Sequence, residues 1–186
     1  MTYGSQRLKY LQLCYKKGIC NNMVIRSADK ITDYEKVWAI FKAVISTGDS
    51  YVFDPETPKE SLGKYWFADS MHTFVAVEED GQVLGTYILK PNQIDLGNHI
   101  ANCGYMVNPK YQGRGIGKLL CEHSIKFARQ QGFLGIQFNI VVSANEAALK
   151  LWQKFGFEII GKTPKGFRHK TLGLVDTFIM FKELSH

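Results

Sequence analysis

Two rhythms of apolar and polar positions run along the chain. Residues 23–27 read as a short strand. Tyr34, Val37, Trp38, Phe41, Val44 and Ile45 then recur at helical spacing. Thr32-x-x-Glu35 precedes them as a capping-box pattern, and Gly48 supplies a stop. Residues 49–56 form a loop rich in Tyr51, Phe53 and Pro55. Thr57-Pro58-Lys59-Glu60 predicts a second helix running to about Ala68. The rhythm next shortens to that of strands. Residues 73–79 and 82–90 flank Asp80-Gly81, a strong hairpin signal, and residues 99–107 give another strand. Ile116, Leu119, Leu120, His123 and Phe127 mark a helix that ends at Gly132. Residues 135–142 alternate, with Ile136, Phe138, Ile140 and Val142 on one face and Gln137, Asn139 and Val141 on the other. A helix over 144–155 and strands over 157–161 and 174–182 complete the pattern. The order βααβββαβαββ predicts an α/β protein with a mixed sheet and helices on its faces.

Composition narrows this picture. The 186 residues fit one domain, here 23–186, plus a short extension, and the 45% apolar content is that of a globular chain. No apolar run approaches the ~18 residues of a membrane span. The net charge of +6 is unevenly placed. Residues 1–22 hold Arg7, Lys9, Lys16 and Lys17 with no acid, which is +4, so the remainder carries +2. A body so near neutrality argues against a nucleic-acid partner. The basic segment 1–22 reads as a loosely attached extension rather than a signal peptide, because the run around Leu11–Leu13 is too short. A translation start at Met23 is a second reading. Cys14, Cys20, Cys103 and Cys121 form no C-x-x-C pair and no zinc-ligand spacing, so no metal site is expected. Reduced thiols and a cytoplasmic location follow as the default expectation.

The stretch with chemistry in it runs Val107-Asn-Pro-Lys-Tyr-Gln112-Gly113-Arg114-Gly115-Ile116-Gly117-Lys118. It joins a strand to a helix through a glycine-rich turn. Glycines allow positive φ and close backbone approach. A helix start offers unpaired N–H groups and partial positive charge, an anion site suited to phosphate. The P-loop pattern fails, because position 112 is Gln and position 119 is Leu. The dinucleotide pattern fails on its glycine spacing.

Val107-x-Pro109-x-x-Gln112-Gly113-x-Gly115-x-Gly117 resembles the acetyl-CoA signature of the GNAT superfamily of N-acetyltransferases. Asn145-x-x-Ala148-x-x-x-Trp152-x-x-x-Gly156-Phe157 resembles that superfamily's second motif, N-x-x-A-x-x-x-Y-x-x-x-G-F. The resemblance covers residues 23–183. It implies a sheet splayed between its fourth and fifth strands and acetyl-CoA as co-substrate. By the resemblance, the backbone of Tyr105, Met106 and Val107 would pair with pantetheine. The N–H groups of Gln112, Gly113, Arg114, Gly115, Ile116, Gly117 and Lys118 would hold the pyrophosphate, with charge from Arg114 and Lys118. Asn145 would hold the pantetheine arm, cap the next helix, or both. His99, Asn102, Tyr105, Gln137, Asn139 and residues 164–169 look like a narrower bacterial subgroup similar to fungal acetyltransferases of proline-like amino acids.

The implied reaction is direct attack of a neutral amine on the thioester in a ternary complex. Trp152 stands where the superfamily has its acidic Tyr, and an indole N–H cannot supply that proton. Leaving as thiolate costs only about 1–2 kcal/mol near neutral pH, so the departure need not remove activity. Asn102 stands where a Glu base is common. His99 and Asp176 are the alternative bases, and water carrying the proton away is the third reading. Asn139, an Asn mid-strand in an apolar stretch, is expected to be a buried amide with partners; by the resemblance it would hold the acceptor, and the alternative is a structural amide bonded to a neighbouring loop. Tyr51 and Phe53, with Trp66, would wall the acceptor pocket or belong to the core. The expected acceptor is a small amine, an amino acid or analogue. The rivals are a protein N-terminal or lysine acetyltransferase and a non-catalytic CoA-binding regulatory module. Homodimer formation is left open.

Overall fold

The computed structural model describes residues 23–184, so the basic segment 1–22 lies outside the described residues. The elements are β1 (Val24–Ser27), α1 (Tyr34–Ile45), α2 (Leu62–Trp66), β2 (His72–Val77), β3 (Val83–Pro91), β4 (Ile100–Val107), α3 (Ile116–Gln130), β5 (Gly135–Val142), α4 (Glu146–Lys154), β6 (Glu158–His169) and β7 (Gly173–Glu183). They follow the βααβββαβαββ order. The strands form one seven-stranded sheet in the order β1-β2-β3-β4-β5-β7-β6. Every neighbouring pair is antiparallel except β4–β5.

Apolar side chains fill both faces of the sheet. On one, Val37, Ile40, Phe41 and Ile45 of α1 and Leu62 and Trp66 of α2 pack on Val75, Ile88 and Met106. On the other, Ile116, Leu120, Cys121 and Ile125 of α3 and Trp152 of α4 pack on Tyr87, Leu89, Ala101, Ile136 and Phe138. Among the described residues no helix is long and apolar enough to cross a membrane.

Several local expectations are corrected. The Thr32 capping box does not form. Asp33 caps α1 by position without a side-chain bond to the helix, because its carboxylate is buried on Arg26 and the Asp29 N–H. The Thr57 hydroxyl donates to the Asp54 carbonyl instead of capping, and the second helix begins as a 3-10 turn (Lys59–Ser61) and ends at Trp66. β6 runs to His169 rather than 161, since its pairing with β7 resumes after a bulge between Thr163 and Phe167.

Strict alternation on β5 also fails. Phe138 pairs with Met180 and Val141 with Phe178, so β5 spends one extra residue there. The bulge turns Ile140 outward, 48% exposed, and buries Val141 beside Val142. Asn139 sits in the same bulge and is exposed, not the buried amide expected from its neighbours.

Candidate active site

The parallel ladder between β4 and β5 holds only Ile100 to Gly135 and Ala101 to Ile136. Beyond it the strands part. The Asn102 side-chain amide donates to the Gln137 carbonyl at 2.9 Å, taking the acceptor that the next rung of the ladder would use. A side chain therefore closes the ladder where the gap begins.

The β3–β4 register decides which backbone groups face that gap. The Asn92 N–H donates to the Ile100 carbonyl and the Asn108 N–H to the Leu84 carbonyl. Hydrogen-bonded pairs alternate, so the even-numbered residues of β4 bond to β3. Cys103, Tyr105 and Val107 turn their N–H and C=O groups into the gap. Met106 pairs with Thr86 and is 1% exposed, so its backbone is spent on β3 and its expected role there is corrected. The Tyr105 carbonyl accepts from the Tyr51 hydroxyl at 2.7 Å.

The gap is a cavity of about 630 Å³. A second of about 480 Å³ shares Gln112 and Asn145 with it. At the top of β4 a short 3-10 turn (Pro109–Tyr111) leads into the glycine loop. Gly113 and Gly115 have φ of +79° and +77°, which glycine adopts without penalty. Gly115 caps α3 in the left-handed conformation, and the N–H groups of Ile116, Gly117 and Lys118 open the helix without intrahelical acceptors. Arg114 is engaged by Glu78 and lies 5.5 Å from the centre of the Tyr111 ring. Lys118 pairs with Glu122 at 3.7 Å. The Asn145 side chain accepts from the Ala148 N–H at 3.1 Å, capping α4 while it lines the cavity.

One wall is aromatic. Tyr51, Phe53, Tyr65 and Trp66 line the cavity, with Phe53 and Tyr65 rings 4.7 Å apart. Gly104 makes room for them: a Cβ there would stand 3.4 Å from both Trp66 and the Tyr51 hydroxyl. Trp66 is 1% exposed and donates to the Thr86 hydroxyl, so it is a core residue whose edge reaches the site. The opposite wall is Trp152, 4.8 Å from the Tyr105 ring and 4.9 Å from Phe138.

Residues 37–157 match the profile of the Acetyltransferase (GNAT) family. The chain belongs to that family. It is 34% identical over 98 residues to N-acetyltransferase aca1 of Schizosaccharomyces pombe, covering 52% of this chain and 47% of that protein. It is 31% identical over 101 residues to mycothiol acetyltransferase of Renibacterium salmoninarum, covering 53% of this chain and 29% of that one. The chain thus spans about half or less of these relatives' length. A solved GCN5-related N-acetyltransferase from Kribbella flavida superposes with a TM-score of 0.83 at 38% identity, covering 87% of this chain and 98% of that one.

In this GNAT chain the two expected bases are not gathered at the cavity. His99 is exposed and precedes β4, at the end where β4 and β5 are still paired. Asp176 accepts from the Lys165 N–H at 2.9 Å and pairs with Lys162 at 3.1 Å, pinning the β6 bulge; the Lys165 N–H first, then Lys162, hold its carboxyl below its usual range. Asn102 reaches the cavity with one amide N–H donated to the Gln137 carbonyl. Asn139 lines it too, donating to the Asn92 side chain at 2.7 Å and accepting from Gln137 at 2.9 Å.

Burial raises the phenols of Tyr51 and Tyr105, so both stay protonated. Burial pushes the Cys103 thiol up to about 12 and raises Cys121 as well, which removes either thiol as an acyl carrier. No Asp, Glu or His lines the larger cavity among the described residues. Sequence reasoning missed Lys90 and Tyr65. Their only signal was a polar position closing an apolar strand and one more aromatic in a short helix.

Proposed function

We propose that this chain is an acetyl-CoA-dependent N-acetyltransferase whose acceptor is the primary or secondary amine of a small molecule. The observation that carries the reading is the splayed gap: unladdered N–H groups of Tyr105 and Val107 run up β4 to the glycine loop and the start of α3. An extended pantetheine arm pairs with such an edge as an added strand does. The N–H groups opening α3 suit the pyrophosphate. Cradle and edge are continuous, so one long ligand reaches both.

The Tyr105 N–H polarises the thioester carbonyl as its oxygen gains charge. The amine nitrogen bonds to the carbonyl carbon, the carbon–sulfur bond breaks, and the thiolate leaves with the electron pair. With no carboxylate or imidazole among the described residues that line the larger cavity, the amine proton passes to water. Trp152 holds the Tyr105 ring in place and gives up no proton. The aromatic wall suits a partly apolar acceptor. The relative named mycothiol acetyltransferase carries a small-molecule acceptor in its name, and amino acids and their analogues are the class the sequence resemblance points to.

Thermal unfolding with and without acetyl-CoA is the test. At about 100 times Kd a ligand adds about 2.7 kcal/mol, a rise of roughly 5–10 °C in a chain of this size. A rise with acetyl-CoA, followed by CoA release with a small amine, is the expected result. No rise in a folded sample overturns the site. A rise with no transfer to any amine leaves a CoA-binding module instead.

A further inference from the structure

Resting on the transferase reading, we infer that Lys90 binds a carboxylate of the acceptor, which makes the acceptor class amines that also carry an acid group. Lys90 stands near the end of β3, paired across the sheet with Asn102 at the apex of the gap. It is half-buried and lines the cavity. Its side chain has no hydrogen bond or ion pair among the described residues.

The neighbouring amides are neutral and partly engaged. The Asn102 amide holds the Gln137 carbonyl, and Asn139 is bonded to Asn92 and Gln137. Lys64 is exposed and leans on the Tyr65 ring at 5.6 Å. Lys90 adds a positive charge to the cavity lining. No Asp or Glu lines that cavity among the described residues. A carboxylate that reaches this ammonium forms a charge-assisted hydrogen bond.

The anion in question is not the co-substrate's phosphate. Asn102, the cross-strand partner of Lys90, lies five residues below Val107, about 17 Å along the strand from the base of the glycine loop. Tyr105, where the acyl carbonyl is polarised, lies three residues above Asn102, about 10 Å. A lysine arm covers much of that distance. A molecule with its amine near Tyr105 and an acid group on Lys90 fits between them, its body against Tyr51, Phe53 and Tyr65. The same charge repels polycations, so a lysine-rich peptide tail or a polyamine is a poor occupant.

The experiment compares the twenty common L-amino acids with their C-terminal amides as acceptors, measured by CoA release. The amide has the less basic amine and is the readier nucleophile near neutral pH, so a preference for the acid must come from the site. The expected result is kcat/KM at least about tenfold higher for an acid than for its amide. Lys90→Met abolishes that preference through KM, with kcat and the KM for acetyl-CoA little changed; Lys90→Arg keeps it; Lys90→Glu reverses it. Stabilisation by acetyl-CoA in each variant reports that it is folded. Acids and amides accepted equally by the parent, no acid accepted at all, or a preference unchanged in Lys90→Met overturns the assignment. Amides acetylated and acetyl-CoA still stabilising would leave the transferase reading standing; loss of both stabilisation and transfer would remove both.

Discussion

Replacing Asn102 tests how the gap between β4 and β5 is kept open. Its amide donates to the Gln137 carbonyl at 2.9 Å, at the rung where the ladder stops. In Asn102→Ala that carbonyl loses its donor at the floor of a cavity that water reaches. The loss is about 1 kcal/mol, the net worth of one such bond, and lowers the unfolding midpoint by about 2–4 °C. The freed carbonyl also becomes available to the Cys103 N–H, one rung up. Reopening that rung costs about 1 kcal/mol again, so acetyl-CoA binds roughly fivefold more weakly. Urea and thermal unfolding measure the first effect and calorimetry with acetyl-CoA the second. If Asn102→Ala is as stable as the parent and binds acetyl-CoA as tightly, the Asn102 amide does not hold the apex.

Two further outcomes are expected. Gly113→Ala and Gly132→Ala both force an alanine to φ near +80° with nothing within 4 Å of the new Cβ, so each costs about 1–2 kcal/mol and the midpoints fall alike. Only Gly113→Ala weakens acetyl-CoA binding by calorimetry; equal weakening in both, or in neither, contradicts the cradle. His123 shares a 2.7 Å hydrogen bond with Tyr87, and burial, with a smaller effect of Lys126, lowers its pKa to about 4. Between about pH 6.5 and 4 the unfolded chain binds the extra proton, so this group's contribution to stability is present above pH 6.5 and fades on acidification through that window. His123→Gln flattens that part of the curve of unfolding free energy against pH, and an unchanged slope would refute the assignment.

The order of elements was legible in the sequence because it depends on periodicity, and periodicity survives without knowledge of partners. Helical spacing in α1 and α3, the Asp80-Gly81 hairpin and the stop at Gly132 are local matters. So is the glycine loop: positive φ at Gly113 and Gly115 is a demand that only their residue type meets cheaply. Asn145 likewise caps α4 with its own side chain, three residues from its partner.

What the sequence misjudged depends on competing partners, a few of them near in the chain and most of them brought in by strand pairing. Thr32 and Thr57 look like caps, but Asp33 is drawn into burial by Arg26 and Thr57 is turned back by the Asp54 carbonyl. The alternation of β5 is interrupted by a bulge that exists only against β7, and it moved Asn139 from the expected interior to the surface. His99 and Asp176 are plausible bases by residue type. Only the sheet places one at the paired end of β4 and the other on the β6 bulge. The backbone of Met106 is lost to β3 by a register that no local pattern encodes. The cavity joins Tyr51, Lys90, Asn102 and Trp152, drawn from positions about a hundred residues apart. Local chemistry determined the elements and the cradle; strand pairing decided which groups face the gap, because hydrogen-bond direction alternates along a strand and is fixed only by its neighbours.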